Sequence, residues 1–232
     1  MNPATEGLSA SLPFRGRMPS GLPPGQVVTA KWPVLHAGSV PAELTPATWT
    51  LELHGEVENP RTLSFAELLG LPQVDLTCDI HCVTSWSKLG MHWRGVPFTE
   101  VAALVRPKPS VKFVIMECEQ GFTTSLPIGP LTEPDVMLAH TVEGTALAPE
   151  HGGPVRMLVP KRYFYKSAKW LRGLKFVSAD EPGFWEVRGY SNVADPWMET
   201  RYDVDDVKVI HQMRRESLFH PFSSKKESRN AP

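Results

Sequence analysis

The chain has 232 residues, 41% of them hydrophobic and 21% charged, with a net charge of −1 at neutral pH, so it has enough apolar material for a packed core. A near-neutral balance excludes partners gripped by bulk charge, nucleic acid and anionic membrane surfaces among them, and no apolar run reaches the roughly 18–20 residues that a membrane helix requires. Three cysteines, Cys78, Cys82 and Cys118, make no C-x-x-C pair, which excludes a disulfide scaffold or a four-cysteine zinc site and predicts a reducing, cytoplasmic setting.

Arg15 and Arg17 are followed by polar, proline-rich sequence rather than an apolar signal core, so no export signal is expected. Residues 1–26 combine Pro, Gly and Ser without hydrophobic periodicity and are expected to form a flexible N-terminal arm. Thr48-Trp-Thr-Leu-Glu-Leu-His54 alternates apolar and polar residues, as a half-buried strand does. Ser64-Phe-Ala-Glu67 has the spacing of a capping box, and Gly70 stops the short helix that it opens. Val74 to Val83 predicts a strand with Cys78, Ile80 and Cys82 on one face. Pro97 to Val105 predicts a helix ended by Pro107, and Val111 to Cys118 an apolar strand. Val136 to Val142, Val155 to Val159 and Leu171 to Val177 are further expected strands. Residues 203–232 are expected to make one more helix and a polar tail that begins at Ser223. The order of elements predicts an α+β fold with mixed β-sheets, short helices and long loops. The 23 prolines, about twice the average share of about 5%, account for the loops.

Two segments carry chemistry. The first is Asp79-Ile-His-Cys82-Val-Thr-Ser-Trp86. A lone cysteine is commonly a buried core residue, and three functional readings compete with that. A His81–Cys82 nucleophilic pair conflicts with strand geometry, in which neighbours point to opposite faces. A zinc site from Cys78, His81, Cys82 and His92 has no familiar ligand spacing. A single thiolate on a soft, heavy metal supplied by a cofactor needs only one cysteine.

The second segment runs from His151-Gly-Gly-Pro-Val-Arg156 to Lys166-Ser-Ala-Lys169-Trp170. Its cations are interleaved with Tyr163, Phe164, Tyr165 and Trp170, a composition suited to an anionic, planar ligand whose phosphate is gripped while its rings stack nearby. Neither G-x-G-x-x-G nor G-x-x-x-x-G-K-[ST] occurs, so the usual nucleotide loops are missing.

Together these segments resemble the molybdopterin-binding domain of the sulfite oxidase family, over roughly Trp32 to Trp197. The resemblance implies a sulfite oxidase-like fold, with residues 27–202 as the catalytic domain and a molybdenum–molybdopterin cofactor. It implies that Cys82 is the protein's thiolate ligand to molybdenum. It assigns His151 and Arg156 to cofactor contacts, Lys166 to the pterin phosphate with Phe164 and Tyr165 beside it, and His36 to an upstream contact. Cys118 stands between two roles, a lining of the same cavity and a buried structural thiol.

Sulfite oxidases carry Ala-Gly-Asn-Arg after the cysteine, whereas this chain has Val83-Thr84-Ser85-Trp86 and no arginine before Arg94. His140 stands where those enzymes have a tyrosine. Sulfite is therefore not the expected substrate. The expectation is two-electron oxygen-atom transfer on a small sulfur or nitrogen oxide, with Thr84, Trp86 and His140 at the rim of the open metal position. Without a C-x-x-C-H haem motif, electrons must be exchanged with a separate partner. The alternatives are a non-catalytic molybdopterin carrier and a thiol hydrolase.

Overall fold

A computed structural model describes residues 21–206. Strand β1 (Val27–Val28) is followed by β2 (Thr50–Gly55), whose alternation buries Leu51 and Leu53, and by β3 (Arg61–Ser64). Helix α1 (Phe65–Leu69) opens with the predicted capping box, in which Ser64 Oγ accepts from the Glu67 N–H and the Glu67 carboxylate accepts from the Ser64 N–H. Next come β4 (Val74–His81), β5 (Trp86–Pro97), α2 (Phe98–Val105), β6 (Phe113–Cys118) and β7 (Thr123–Pro127). The remainder is α3 (Ile128–Leu131), β8 (Met137–Val142), β9 (Thr145–Ala146), β10 (Arg156–Leu158) and β11 (Leu171–Val177).

The strands form two sheets, and both are mixed. One has the order β3-β2-β11-β6-β7, in which β2 and β11 run parallel. The other has the order β1-β5-β8-β10, with β4 on β5 and β9 on β8, and β1 joins it in parallel. The main core gathers Leu51, Leu53, Val114, Met116, Leu174 and Phe176 with Phe98, Val101 and Val105 of α2. Each such side chain stabilises the fold by about 1.5–3 kcal/mol when fully buried. A second cluster, Leu76, Ile80, Met91, Trp93, Met137 and Leu158, packs under Trp32, Trp86 and Phe164. Those three aromatics are the floor from which the site described below rises.

Two expectations shift. The strand predicted to reach Val83 ends at His81, because the chain turns at residues 82–85 with Ser85 at φ 73°, so Cys82 opens a hairpin loop. Gln26, placed by its sequence in the N-terminal arm, is buried and bonded to that loop; residues 1–20 lie outside the described residues. The helix expected after Asp203 begins at residues 203–206, and the rest of it, with the polar tail, also lies outside. No described helix is long and apolar enough to cross a membrane.

Candidate active site

The β4–β5 hairpin carries Cys82 to the edge of a cavity of about 310 Å³. From the hairpin loop Cys82, Val83 and Thr84 face it. The loop before β2 contributes Trp32 and His36, the start of β10 contributes Arg156, and the segment that follows β10 contributes Phe164, Tyr165, Lys169 and Trp170. Trp185 and Tyr190 complete an aromatic wall. Volume and ring-rich lining suit a cofactor-sized ligand.

The three thiols differ in setting. Cys78 faces the second cluster and Cys118 the main core, and burial raises both thiol pKa values, so they stay protonated. Cys82 lines the cavity, with its Sγ 3.1 Å from Thr84 Oγ1. Adjacent His81 turns the other way, its Nδ1 at 2.8 Å from Ser87 Oγ. The nucleophilic pair is thereby set aside. Among the described residues no three His, Cys, Asp or Glu side chains gather as a metal cage, so the zinc set of Cys78, His81, Cys82 and His92 is not assembled.

Cationic charge is concentrated opposite Cys82. Arg156 is 1% exposed and spends one N–H from each nitrogen on backbone carbonyls, of Met157 at 3.3 Å, His151 at 2.7 Å and Ser167 at 2.6 Å. Three of its five donors are used in this way, so two remain. Its guanidinium lies 4.1 Å from the Phe164 ring centre and remains cationic at neutral pH although burial lowers its pKa to about 9. Lys169 donates to the Glu150 carbonyl at 2.6 Å. Burial first, and Arg156 second, draw its pKa down to about 7. Among the described residues no carboxylate lines the cavity to offset these two cations. His151 stacks on Trp32, with centroids 3.6 Å apart and planes 4° apart, and its Nδ1 is buried without a hydrogen-bond partner.

Several predicted residues stand elsewhere. Lys166 is fully buried and turned into the protein, where its ammonium donates to Glu186 Oε1, to the Ser125 carbonyl at 2.8 Å and to Asn192 Oδ1 at 2.9 Å. It has no N–H left for a phosphate, and Lys169 is the lysine on the cavity. Cys118 does not line the cavity, and the structural thiol is the role that its position fits. His140 is the extra residue of a β-bulge opposite Arg94 and Gly95; its ring nitrogens lie 2.8 Å from Gln73 Oε1 and 2.8 Å from Thr141 Oγ1, away from the cavity. A bulge redirects a side chain without a clear trace in sequence. His36, Thr84, Phe164 and Tyr165 are on the wall as expected. Sequence reasoning missed Lys169, Trp32, Trp185 and Tyr190; the lysine–aromatic alternation was the available signal for Lys169.

The family model of the oxidoreductase molybdopterin-binding domain matches residues 37–185. The chain belongs to that family. It is 42% identical over 184 residues to the uncharacterized oxidoreductase YuiH of Bacillus subtilis, covering 79% of this chain and 93% of that protein. It is 32% identical over 172 residues to the protein-methionine-sulfoxide reductase catalytic subunit MsrP of Burkholderia mallei, covering 65% of this chain and 52% of that protein, so it spans about half that reductase. The sulfane dehydrogenase SoxCD of Paracoccus pantotrophus has the same fold, with a TM-score of 0.56 at 23% identity over 76% of this chain and 56% of that one.

This molybdopterin oxidoreductase therefore takes a molybdenum–molybdopterin cofactor. The donor set fits such a group. A thiol, two unopposed cations and a buried imidazole nitrogen without a partner face or flank one aromatic cavity. Thiolate suits a soft metal, and the cations suit a phosphate.

Proposed function

We propose that the protein catalyses two-electron oxygen-atom transfer on a small, neutral sulfur or nitrogen oxide, with Cys82 as the protein's ligand to molybdenum. The observation that carries this reading is that Cys82 shares one cavity with Arg156 and Lys169, while Cys78 and Cys118 do not. When bound, the cofactor supplies the redox chemistry; the chain binds, orients and encloses. Arg156 and Lys169 would hold the phosphate, with His151 donating or accepting at Nδ1 beside them. Trp32, Phe164 and Trp170 provide ring faces for the pterin and exclude water. Thr84 hydrogen-bonds the Cys82 sulfur and fixes its direction.

A neutral substrate follows from charge. Among the described residues no Lys or Arg beyond Arg156 and Lys169 lines the cavity. Arg94 is bonded to Asp75 at 2.6 Å on the exposed face of the hairpin, and neither residue borders the cavity. An oxyanion such as sulfite lacks a charged receptor at Cys82, whereas an S- or N-oxide needs only a hydroxyl or an N–H. Similarity to a methionine-sulfoxide reductase supports the same class. Electrons pass to or from a separate redox partner, since the chain has no C-x-x-C-H haem motif. Three free thiols among the described residues support a reducing compartment, the cytoplasm.

The test is metal and pterin analysis of the chain and of Cys82→Ser, both made in a host competent for cofactor synthesis, with dimethyl sulfoxide and sulfite as probes. The expected result is dimethyl sulfoxide reduction without sulfite oxidation in the parent, and loss of turnover with retention of pterin in the variant. Full turnover by Cys82→Ser would overturn the assignment.

A further inference from the structure

Two side chains outside the family match of residues 37–185 hold the loop that carries Cys82. Within the loop, the Cys82 N–H donates to the Trp86 carbonyl at 2.8 Å and the Ser85 N–H to the Cys82 carbonyl at 3.0 Å. The remaining anchors come from afar: the Ser85 carbonyl accepts from the Val27 N–H at 2.9 Å, and two side chains hold the carbonyls of residues 82 and 83. The Cys82 carbonyl also accepts from Gln26 Nε2 at 3.0 Å, and the Val83 carbonyl accepts from Arg201 Nη1. Gln26 is 8% exposed, and its Oε1 accepts from Ser87 Oγ at 3.1 Å. Its one amide thus ties the first residue of the loop to the strand that leaves it. The Arg201 guanidinium lies 5.1 Å from the Tyr163 ring centre and 3.8 Å from Glu199 Oε1, which anchors it to the chain segment of the cavity wall.

We infer that Gln26 and Arg201 are positioning residues that set the direction of the Cys82 thiol in the active site. This rests on the reading of Cys82 as the metal ligand. Neither residue lines the cavity, so neither is catalytic; both act through the backbone of residues 82 and 83. The loop's own two hydrogen bonds leave the Val83 peptide free to rotate, and loop motions of that kind run on nanosecond to microsecond timescales. A bond on each successive carbonyl stops that rotation. The sulfur, one side chain away, then presents one orientation, which Thr84 reinforces. Partners of this kind commonly change metal affinity or activity by about 10–100-fold when removed.

The experiment uses the full chain with Gln26→Glu, Arg201→Ala and Arg201→Lys. Gln26→Glu turns a carboxylate oxygen toward the Cys82 carbonyl, Arg201→Ala removes the second donor and Arg201→Lys restores one. In the cofactor-loaded protein, the first two are expected to keep their pterin, to shift the electron paramagnetic resonance signal of pentavalent molybdenum and to lower kcat about tenfold, leaving KM for dimethyl sulfoxide unchanged. Arg201→Lys should recover both signal and rate. In the cofactor-free protein, iodoacetamide should alkylate Cys82 faster in Gln26→Glu and Arg201→Ala than in the parent. Folded variants with the parent's spectrum and alkylation rate overturn the inference. So does loss of a cooperative melt in all three, which would make these residues supports of the fold instead. If Cys82→Ser leaves the resonance signal unchanged, the ligand reading fails on its own, and the alkylation rates still decide the role of Gln26 and Arg201.

Discussion

At the scale of single residues, Lys169 makes the strongest claim on pH. In the folded, cofactor-free chain its pKa is about 7, against an ordinary 10.5. Between those values the unfolded chain holds a proton that the folded chain has released, so stability rises with pH across that window. Below about 7 both states are protonated and the buried charge costs its full amount. Anion binding has the opposite slope, because it requires the ammonium. Sulfate, whose charge is constant, is therefore expected to bind more weakly as pH rises through about 7, and Lys169→Gln should flatten that dependence in calorimetric titrations. His140 gives a contrasting prediction. His140→Ala should leave kcat within about twofold and cost about 1 kcal/mol of stability in urea melts, since it deletes hydrogen bonds at a bulge away from the cavity. A large fall in kcat would return His140 to the site. Cys82, Arg156 and His151 were singled out by the family resemblance, and the structure sets Cys82 and Arg156 on one cavity with His151 stacked on its Trp32 wall. Which lysine faces the cavity was not legible in the sequence, since Lys166 and Lys169 are three residues apart in an irregular segment where no periodicity fixes direction.

At the scale of elements, Lys166 and Glu186 join the turn at Phe164–Lys166 to that at Glu186–Arg188. Both are almost wholly buried, and Thr124 Oγ1 also donates to Glu186 Oε1. Removing one partner strands the other charge, so Lys166→Met should cost about 3–5 kcal/mol, while Lys166→Met with Glu186→Leu should recover most of it. A double-mutant cycle by urea denaturation, with Glu186→Leu as the other single variant, measures the difference; a double variant that loses the sum of the two single costs would deny the coupling. The pair keeps Tyr165, Trp185 and Tyr190 on the cavity wall, so it serves the site without touching a ligand. Strands with clean alternation or long apolar runs were readable: Leu171–Val177 is placed as expected, and Thr50–Gly55 and Phe113–Cys118 nearly so. Strand Trp86–Pro97 was not, because the irregularity around Gly90 and the bulge opposite Arg94 and Gly95 break its two-residue rhythm. The hairpin that presents Cys82 was thus half visible.

At the scale of the whole molecule, the first long strand, Thr50–Gly55, lies parallel beside the last, Leu171–Val177. Parallel neighbours so distant in sequence require most of the chain to be in place before they pair. The cavity draws its walls from a still longer span, Trp32 to Tyr190, so a ligand in it binds the folded state alone. Cofactor at 100 times its dissociation constant should add about 2.7 kcal/mol. Scanning calorimetry of loaded and cofactor-free protein should show one cooperative transition that moves upward on loading, and an unmoved transition would mean that the cavity is not where the cofactor binds.

Gln26 and Arg201 reach the Cys82 loop from opposite ends of the described chain, and that has a practical corollary. A shortened protein designed on residues 37–185 would retain the thiol and both cavity cations, yet it would sever these two side-chain moorings of the thiol's backbone along with Trp32 and Tyr190. Excision at those boundaries should yield a receptacle with its sulfur unaimed.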